Sequence, residues 1–243
     1  MSDPHQPRSP FTRPAFLISA VVVVLLLVAA LIVALTGGGE QPQAEPSAPT
    51  EAATGPSQRS DSACDLPAGT QRVLTTAPPT NWSLVGRIAT PKRKDVGPGR
   101  TTGGVRSCFS HGAEGALFAA ANVGSELADA SDPKTIINER IAPGPGRDQA
   151  LQLLQSSTAP PEDDSSTRVQ YAAFRFDNYS ADRATVQIVA RGAADSSTED
   201  VLVAITYTMV WQDGDWKAEL PVSGQANSNT LNSLDGYVEW SGV

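Results

Sequence analysis

The stretch VLVAITYTMVWQDGDWKAEL, residues 201–220, decides the fold. Apolar residues alternate along it from Val201 to Trp211, which is the period of a half-buried β-strand. Asp213 and Gly214 follow, and an Asp-Gly pair supplies the positive φ angles that a tight hairpin needs. A second alternating run then begins at Trp216. The stretch therefore predicts an antiparallel β-hairpin.

Two more alternating runs precede this hairpin, at residues 171–176 and 185–190, and three helical patterns come before them. A stripe of small residues starts the first helix at Gly112, Asp132-Pro133 is a favourable start for the second, and Asp148 begins the third. Three helices followed by a four-stranded antiparallel meander predict an α+β domain. This element order resembles that of the cystatin-like (nuclear transport factor 2-like) cone, so we expect a curved sheet that wraps the first helix.

An uncharged apolar run extends from Ala15 to Leu35. Its length fits a transmembrane helix, and it exceeds the apolar run of about 7–15 residues that a cleaved signal peptide carries. Arg8 and Arg13 precede it, and positive residues stay in the cytoplasm. The sequence thus predicts a single-pass protein of the cell membrane, with a cytoplasmic tail at 1–14, a helix at 15–35 and an extracellular remainder.

The remainder divides into a linker and a domain. Residues 36–62 are rich in Gly, Pro and Ala, which predicts a flexible tether, and residues 63–243 are expected to form the extracytoplasmic domain. Cys64 and Cys108 both fall outside the membrane, where disulfides persist, so we expect them to pair. The formal net charge of −8 argues against nucleic-acid binding.

Cys108, His111 and Glu114 lie close together in sequence, which raises the possibility of an active site. A catalytic Cys-His pair needs a free thiolate, and the expected disulfide removes it. The inward-facing strand positions assigned from the alternation carry no Asp, Glu or His, so general acid–base catalysis has no candidate there. We therefore expect a non-enzymatic protein with no catalytic residue, no metal ligand and no cofactor, and His111 as a polar residue near a helix N-terminus.

Basic residues gather within a short segment ahead of the first helix. They are Arg87, Lys92, Arg93, Lys94 and Arg100. A solvated loop is one interpretation, and a contact with an anionic surface or an acidic partner is the other. Large apolar side chains are expected to anchor the core, because they bury the most area. These are Trp82, Leu117, Phe174, Phe176, Trp216 and Trp240.

Several short motifs, each found once, follow one another along the chain. They are Cys64…Pro78-Pro79…Trp82…Gly86, Cys108-Phe109-Ser110-His111 leading into Gly115-Ala116-Leu117-Phe118-Ala119-Ala120, Pro143-Gly144-Pro145-Gly146-Arg147, Gly214-Asp215-Trp216-Lys217, and Leu234-Asp235-Gly236-Tyr237-Val238-Glu239-Trp240. In this order they resemble a family of single-pass membrane proteins of high-GC Gram-positive bacteria that accompany integrative and conjugative elements. The layout is also similar to the bitopic cystatin-like scaffold proteins of type IV secretion and conjugation machines.

This resemblance implies a non-enzymatic, membrane-anchored scaffold or assembly component of a conjugation or type IV secretion-like transfer machine. Its partners would be other membrane components of the transfer complex and further copies of itself, without direct nucleic-acid binding. The alternative is a membrane-anchored extracytoplasmic binding module that holds a small apolar ligand or assists a lipid importer.

Overall fold

The computed structural model describes residues 62–129, 132–156, 168–193 and 200–242. The described helices are α1 (Ala113–Asp129), α2 (Pro133–Arg140) and α3 (Pro145–Ser156). The described strands are β1 (Asn81–Val85), β2 (Ile88–Lys92), β3 (Arg100–Thr102), β4 (Val105–Ser107), β5 (Arg168–Tyr179), β6 (Arg183–Ala193), β7 (Val201–Gln212), β8 (Asp215–Glu219), β9 (Asn227–Leu231) and β10 (Val238–Glu239).

The main sheet is a meander of β5, β6, β7 and β8, with β10 added at the free edge of β5. Strand β7 is long enough to pair with two partners on the same side. Its second half pairs with β8, where Trp211 lies opposite Trp216, and its first half pairs with β9, where Thr206 lies opposite Asn227. All of these pairings are antiparallel. Strands β1–β2 and β3–β4 form two separate hairpins.

Helix α1 packs on the inner face of the main sheet and forms the centre of the core. Leu117, Phe174 and Ile188 are fully buried between them. The small residues of α1 allow a close approach, as the sequence suggested: a Cβ atom at Gly124 would come within 2.5 Å of the Tyr207 hydroxyl oxygen. Helix α2 begins as predicted, with the Asp132 side chain accepting a hydrogen bond from the Thr135 backbone N–H.

The outer face of the sheet is covered by the chain that follows β9. Ala173, Val189 and Ala204 are fully buried there, packed against Leu234 and Tyr237. This covering segment therefore gives the sheet a second, smaller apolar core.

The same segment then passes around the edge of β5 to reach the inner face. Val238 pairs with Phe174 in strand β10, and the Trp240 ring enters the main core. The centre of this ring lies 4.9 Å from that of Trp82, 5.7 Å from that of Phe118 and 5.6 Å from that of Phe174. Trp240 therefore closes the side of the core that β1 and β5 leave open.

The predicted fold class, an α+β cystatin-like cone, is wrong. The described part of the chain is mostly β-sheet with three short helices, the longest of 17 residues. The prediction missed β1–β4 and β9–β10, which have only two to five residues each and no long run of alternating apolar residues. No helix in the described ranges has the length and apolar character to cross a membrane. The predicted transmembrane helix, Ala15–Leu35, and nearly all of the predicted linker lie outside those ranges.

A β-bulge changes which β5 side chains face the core. The pairing of β5 with β6 shifts between Tyr171 and Ala173. Strict alternation from Phe174 would point Tyr171 outward, yet its hydroxyl donates a hydrogen bond to the Ala121 carbonyl of α1 at 2.6 Å. A bulge places two residues opposite one, so it reverses the inward and outward positions on one side of it.

Candidate functional site

The predicted disulfide between Cys64 and Cys108 is present. Cys108 comes directly after β4 and is buried, and its backbone N–H donates a hydrogen bond to Asp215 at 2.8 Å. The bond joins the start of the described chain to the loop that leads into α1. The thiol groups are therefore consumed in a structural link.

His111 is buried at the start of α1, close to where the sequence placed it. Its ring stacks on Trp211 with centroids 4.1 Å apart, and its Nε2 atom lies 2.7 Å from the Ala181 carbonyl oxygen. Among the described residues, no three His, Cys, Asp or Glu side chains are arranged to hold a metal ion.

The basic residues separate into two groups. Arg93 turns toward the domain, where it forms ion pairs with Asp95 at 2.8 Å and Glu114 at 2.5 Å. The other four side chains are exposed on β2, β3 and the connecting turns: Arg87, Lys92, Lys94 and Arg100. The predicted core residues are buried except Trp82, which is half-buried: Leu117, Phe174, Phe176, Trp216 and Trp240.

A buried cluster of charges lies beside the disulfide. Asp215, at the start of β8, accepts hydrogen bonds from the backbone N–H groups of Cys108, Phe109 and Trp216 at 2.8–2.9 Å. It also accepts one from Arg140 of α2 at 3.0 Å. The Arg140 guanidinium lies 5.1 Å from the centre of the Phe109 ring. Asp215 thus fastens α2, β8 and the chain before α1 together.

Glu126 of α1 is the second carboxylate of this charge cluster. It is 2% exposed and accepts a hydrogen bond from the backbone N–H of Arg106, while its other oxygen, Oε2, lies 3.7 Å from Nε of Arg140. Within the described residues, Oε2 has no hydrogen-bond partner. Burial raises the pKa of Glu126 to about 7, although the positive charge of Arg140 acts in the opposite direction. The Arg140 guanidinium is thus held firmly by one carboxylate and loosely by the other.

An apolar cleft of about 330 Å³ is lined in part by residues of α1 and α2. Helix α1 lines it with Val123, Gly124 and Leu127, and the end of α2 adds Ile137 and Ile141. The same two helices that place Glu126 and Arg140 in the charge cluster therefore present their aliphatic faces to the cleft. Its volume falls at the small end of the range for ligand-binding sites, about 300–1,000 Å³.

Helix α3 and the main sheet complete the cleft. Leu153 and Leu154 contribute from α3, Tyr207 from β7, and Leu220 from the chain after β8. The leucine side chains of the wall are only half-buried, so apolar surface faces the opening. None of the described lining residues carries a charge, and their polar side chains are Tyr207 and Gln225. A second, smaller recess of about 130 Å³ lies at the edge of β5 and is lined in part by Arg191 and Glu239.

Tyr207 is the only aromatic residue of the lining and is 7% exposed. Burial raises the pKa of its hydroxyl to about 12, so this group stays protonated at neutral pH. The chain places its Oη atom against Gly124, which also lines the cleft.

The sequence analysis anticipated the disulfide and not the cleft or the charge cluster. Tyr207 was assigned to the inner face of its strand, but the residues that surround the cleft come from positions 123 to 226. Asp215 was assigned only to a turn, although the Cys108 N–H that it binds lies 107 residues earlier. The available signal for Glu126 was that this charged residue lies inside the apolar stripe of α1.

The fold and the cleft define a predominantly β domain with an apolar cleft between its helices and its sheet. Residues 44–239 match the model of a family described as a domain of unknown function (DUF8175). The chain belongs to this family. No curated protein and no solved structure matches it.

Proposed function

We propose that this protein is a non-enzymatic binding module held outside the cell membrane, and that the cleft takes a small apolar ligand. The cleft carries this proposal, because its wall is uncharged and part of its aliphatic surface faces solvent. Apolar surface in water costs about 25 cal/mol per Å², and a bound ligand would remove that cost.

The composition of the wall supports the non-enzymatic part of the proposal. General acid–base catalysis needs a titratable group within hydrogen-bond reach of the substrate. The lining residues that the structure describes include no Asp, Glu, His, Lys or Arg. Glu126, whose pKa is raised, lies in the charge cluster and is not among them.

The location outside the membrane rests on the sequence. The uncharged run Ala15–Leu35 follows Arg8 and Arg13, which favours an anchor with the domain on the outer side. The disulfide Cys64–Cys108 fits that compartment, because disulfides persist where the surroundings are oxidising.

A matched pair of tryptophan substitutions tests the cleft. Leu220 lines the cleft, whereas Val222, two residues later, is 78% exposed and does not line it. Full-length wild type, Leu220→Trp and Val222→Trp would be purified from cell membranes and extracted with organic solvent, and the extracts compared by mass spectrometry. We expect an apolar compound with wild type and Val222→Trp, and its loss with Leu220→Trp. Equal recovery from all three, or no apolar compound above a membrane-protein control, would contradict the proposal.

A second function, assembly component of a transfer machine, is favoured by the exposed basic residues. Lys92 and Lys94 remain exposed although Arg93 between them is paired with Glu114. Because the chain as a whole carries a net charge of −8, these residues form a locally distinct surface that suits an acidic partner or an anionic membrane.

Cross-linking in intact cells tests this second function. The double change Lys92→Glu/Lys94→Glu should abolish cross-links to membrane-embedded channel subunits or to a secretion ATPase. Lys134→Glu, an exposed charge on α2, is the matched control and should leave those cross-links in place. Recovery of lipid-transport components by all forms of the protein would favour the apolar-ligand function alone.

A further inference from the structure

Tyr207, which lines the cleft, and its neighbour Tyr171, which does not, have hydroxyl groups in different situations. Both face Gly124 of α1, where a Cβ atom would lie 2.5 Å from the Tyr207 oxygen and 3.0 Å from the Tyr171 oxygen. The Tyr171 hydroxyl donates to the Ala121 carbonyl at 2.6 Å and lies 2.9 Å from the Ser125 hydroxyl. Its hydrogen-bonding capacity is therefore met by the protein.

Tyr207 differs, because no described residue forms a hydrogen bond with its hydroxyl. Only 7% of the surface of Tyr207 is exposed, and the residue lines the cleft. Among the described residues, the fully enclosed polar atoms that lack a partner do not include the Tyr207 oxygen, so this oxygen is accessible from the cleft. Polar groups of largely buried residues nearly always have a hydrogen-bond partner. The partner for this hydroxyl therefore comes from the contents of the cleft.

The remaining wall restricts the rest of the ligand. Around Tyr207 the lining is aliphatic, with Val123, Leu127, Ile141 and Leu154 among its members. A charged group buried there would find no described lining residue of opposite charge, and burying an uncompensated charge is strongly unfavourable. The enclosed part of the ligand is therefore aliphatic and uncharged.

Resting on the proposed binding function, we propose that the ligand is an aliphatic molecule with one uncharged hydrogen-bonding group, a hydroxyl or an ester or amide carbonyl, that binds the Tyr207 hydroxyl. The aliphatic part of the ligand contacts the wall formed by α1, α2 and α3. Such a group lies on medium-chain alcohols and on acyl esters, and the cleft recognises the chemistry that these compounds share.

Photo-cross-linking on the full-length protein in its membranes tests the ligand class. Four probes share one medium-length chain with a diazirine and differ only at the end, which is a hydroxyl, a methyl ester, a carboxylate or a methyl group. Labelled peptides are mapped by mass spectrometry, and the signal from the peptides of α1 and the Leu220 segment is measured with and without excess unlabelled probe.

We expect the alcohol and the ester to label these peptides about tenfold more than the hydrocarbon. Tyr207→Phe should reduce the alcohol and ester signals to the level of the hydrocarbon and leave the hydrocarbon signal unchanged. Tyr179→Phe is the matched control, because its hydroxyl bonds Gln71 away from the cleft, and it should behave as wild type.

The outcomes separate this inference from the function on which it rests. Equal labelling by alcohol and hydrocarbon, preferential labelling by the carboxylate, or an unchanged alcohol signal in Tyr207→Phe would overturn the ligand class while leaving an apolar site in place. Failure of all four probes to label the cleft would overturn the proposed function itself.

Thermal unfolding gives an independent check that does not need a ligand. Because no described residue forms a hydrogen bond with the Tyr207 hydroxyl, Tyr207→Phe should keep or raise the melting temperature, whereas Tyr171→Phe should lower it. A larger fall for Tyr207→Phe than for Tyr171→Phe would show that the hydroxyl has a protein partner and would overturn the inference.

Discussion

The charge cluster and the cleft are built by the same elements and have opposite properties. Helix α1 gives Glu126 to the charge cluster and Leu127 to the cleft, α2 gives Arg140 and Ile137, and β8 gives Asp215 and Ala218. In the charge cluster, Asp215 is occupied by groups of the chain itself. In the cleft, the Tyr207 hydroxyl has no hydrogen-bond partner among the described residues. The difference separates a region that stabilises the fold from one that is open to a ligand.

The sharpest way to break the charge cluster is to remove the charge of Asp215. We expect Asp215→Asn to lower the free energy of unfolding by about 3–5 kcal/mol, because Arg140 would keep a buried charge and lose its closest carboxylate. Chemical denaturation of the purified protein measures this change. Asp213→Asn is the matched control, since Asp213 is exposed in the same turn and Asn tolerates its positive φ. Similar losses for the two variants would contradict the assigned role.

Removing the disulfide beside the charge cluster should have the next largest effect. The bond closes a loop across a sequence separation of 44. In the chain-entropy model this closure stabilises the fold by up to about 4 kcal/mol. Cys108→Ser should therefore lower the melting temperature, and reductant should do the same to the wild type while leaving Cys108→Ser unaffected. An unchanged melting temperature in both cases would refute a stabilising role for the bond.

The pH dependence of stability tests the state of Glu126. Burial raises the pKa of Glu126 from an ordinary 4.5 to about 7, so the folded state keeps a proton that the unfolded state releases. This contribution to stability is complete below about pH 4.5 and is lost as the pH rises toward 7. The difference in pKa corresponds to about 3 kcal/mol.

Glu126→Gln removes this titration, because glutamine stays neutral. The free energy of unfolding of the wild type should therefore fall relative to that of Glu126→Gln from about pH 5 to about pH 8. Glu139→Gln, an exposed change on α2, should run parallel to the wild type. Parallel curves for Glu126→Gln and wild type would rule out a raised pKa for Glu126.

The smallest expected effect concerns the close contact between Gly124 and Tyr207 in the cleft. Gly124→Ala improves helix propensity by about 1 kcal/mol, but the added Cβ would meet the Tyr207 oxygen at 2.5 Å. Overpacking costs about 1–3 kcal/mol, so we expect a net loss of about 1 kcal/mol. On a Tyr207→Phe background the loss should shrink, because the closest contact is gone. An equal loss on both backgrounds, measured by denaturation, would mean that the tyrosine hydroxyl is not the limiting contact.

The elements that the sequence predicted are those with local signals. The β7–β8 hairpin follows from alternation and an Asp-Gly turn, and the start of α2 follows from Asp132-Pro133. The missed strands depend on partners distant in sequence, since β9 lies beside β7 and β10 beside β5. Strand β9 is polar except for Leu231, and β10 has only two residues, so neither shows an apolar pattern. The fold class was wrong for the same reason, since four short strands before α1 look like loops.

The candidate site was less accessible to sequence analysis than the fold. The disulfide could be predicted because two cysteines leave one pairing. The cleft could not be predicted, because it is formed where α1, α2, α3 and β7 meet. The bulge in β5 likewise reverses the face of Tyr171, which strict alternation does not predict. The importance of the Tyr207 hydroxyl depends on which partners it lacks, and no single strand pattern contains that information.

The path of residues 231–240 has a consequence for how the protein is made. The core cannot close until Trp240 has been synthesised, because this ring fills the space between Trp82, Phe118 and Phe174. Until then the edge of β5 lacks β10 and can pair with other chains. With the proposed location outside the membrane, this order would keep the polypeptide unfolded during export and let it complete its structure on the far side.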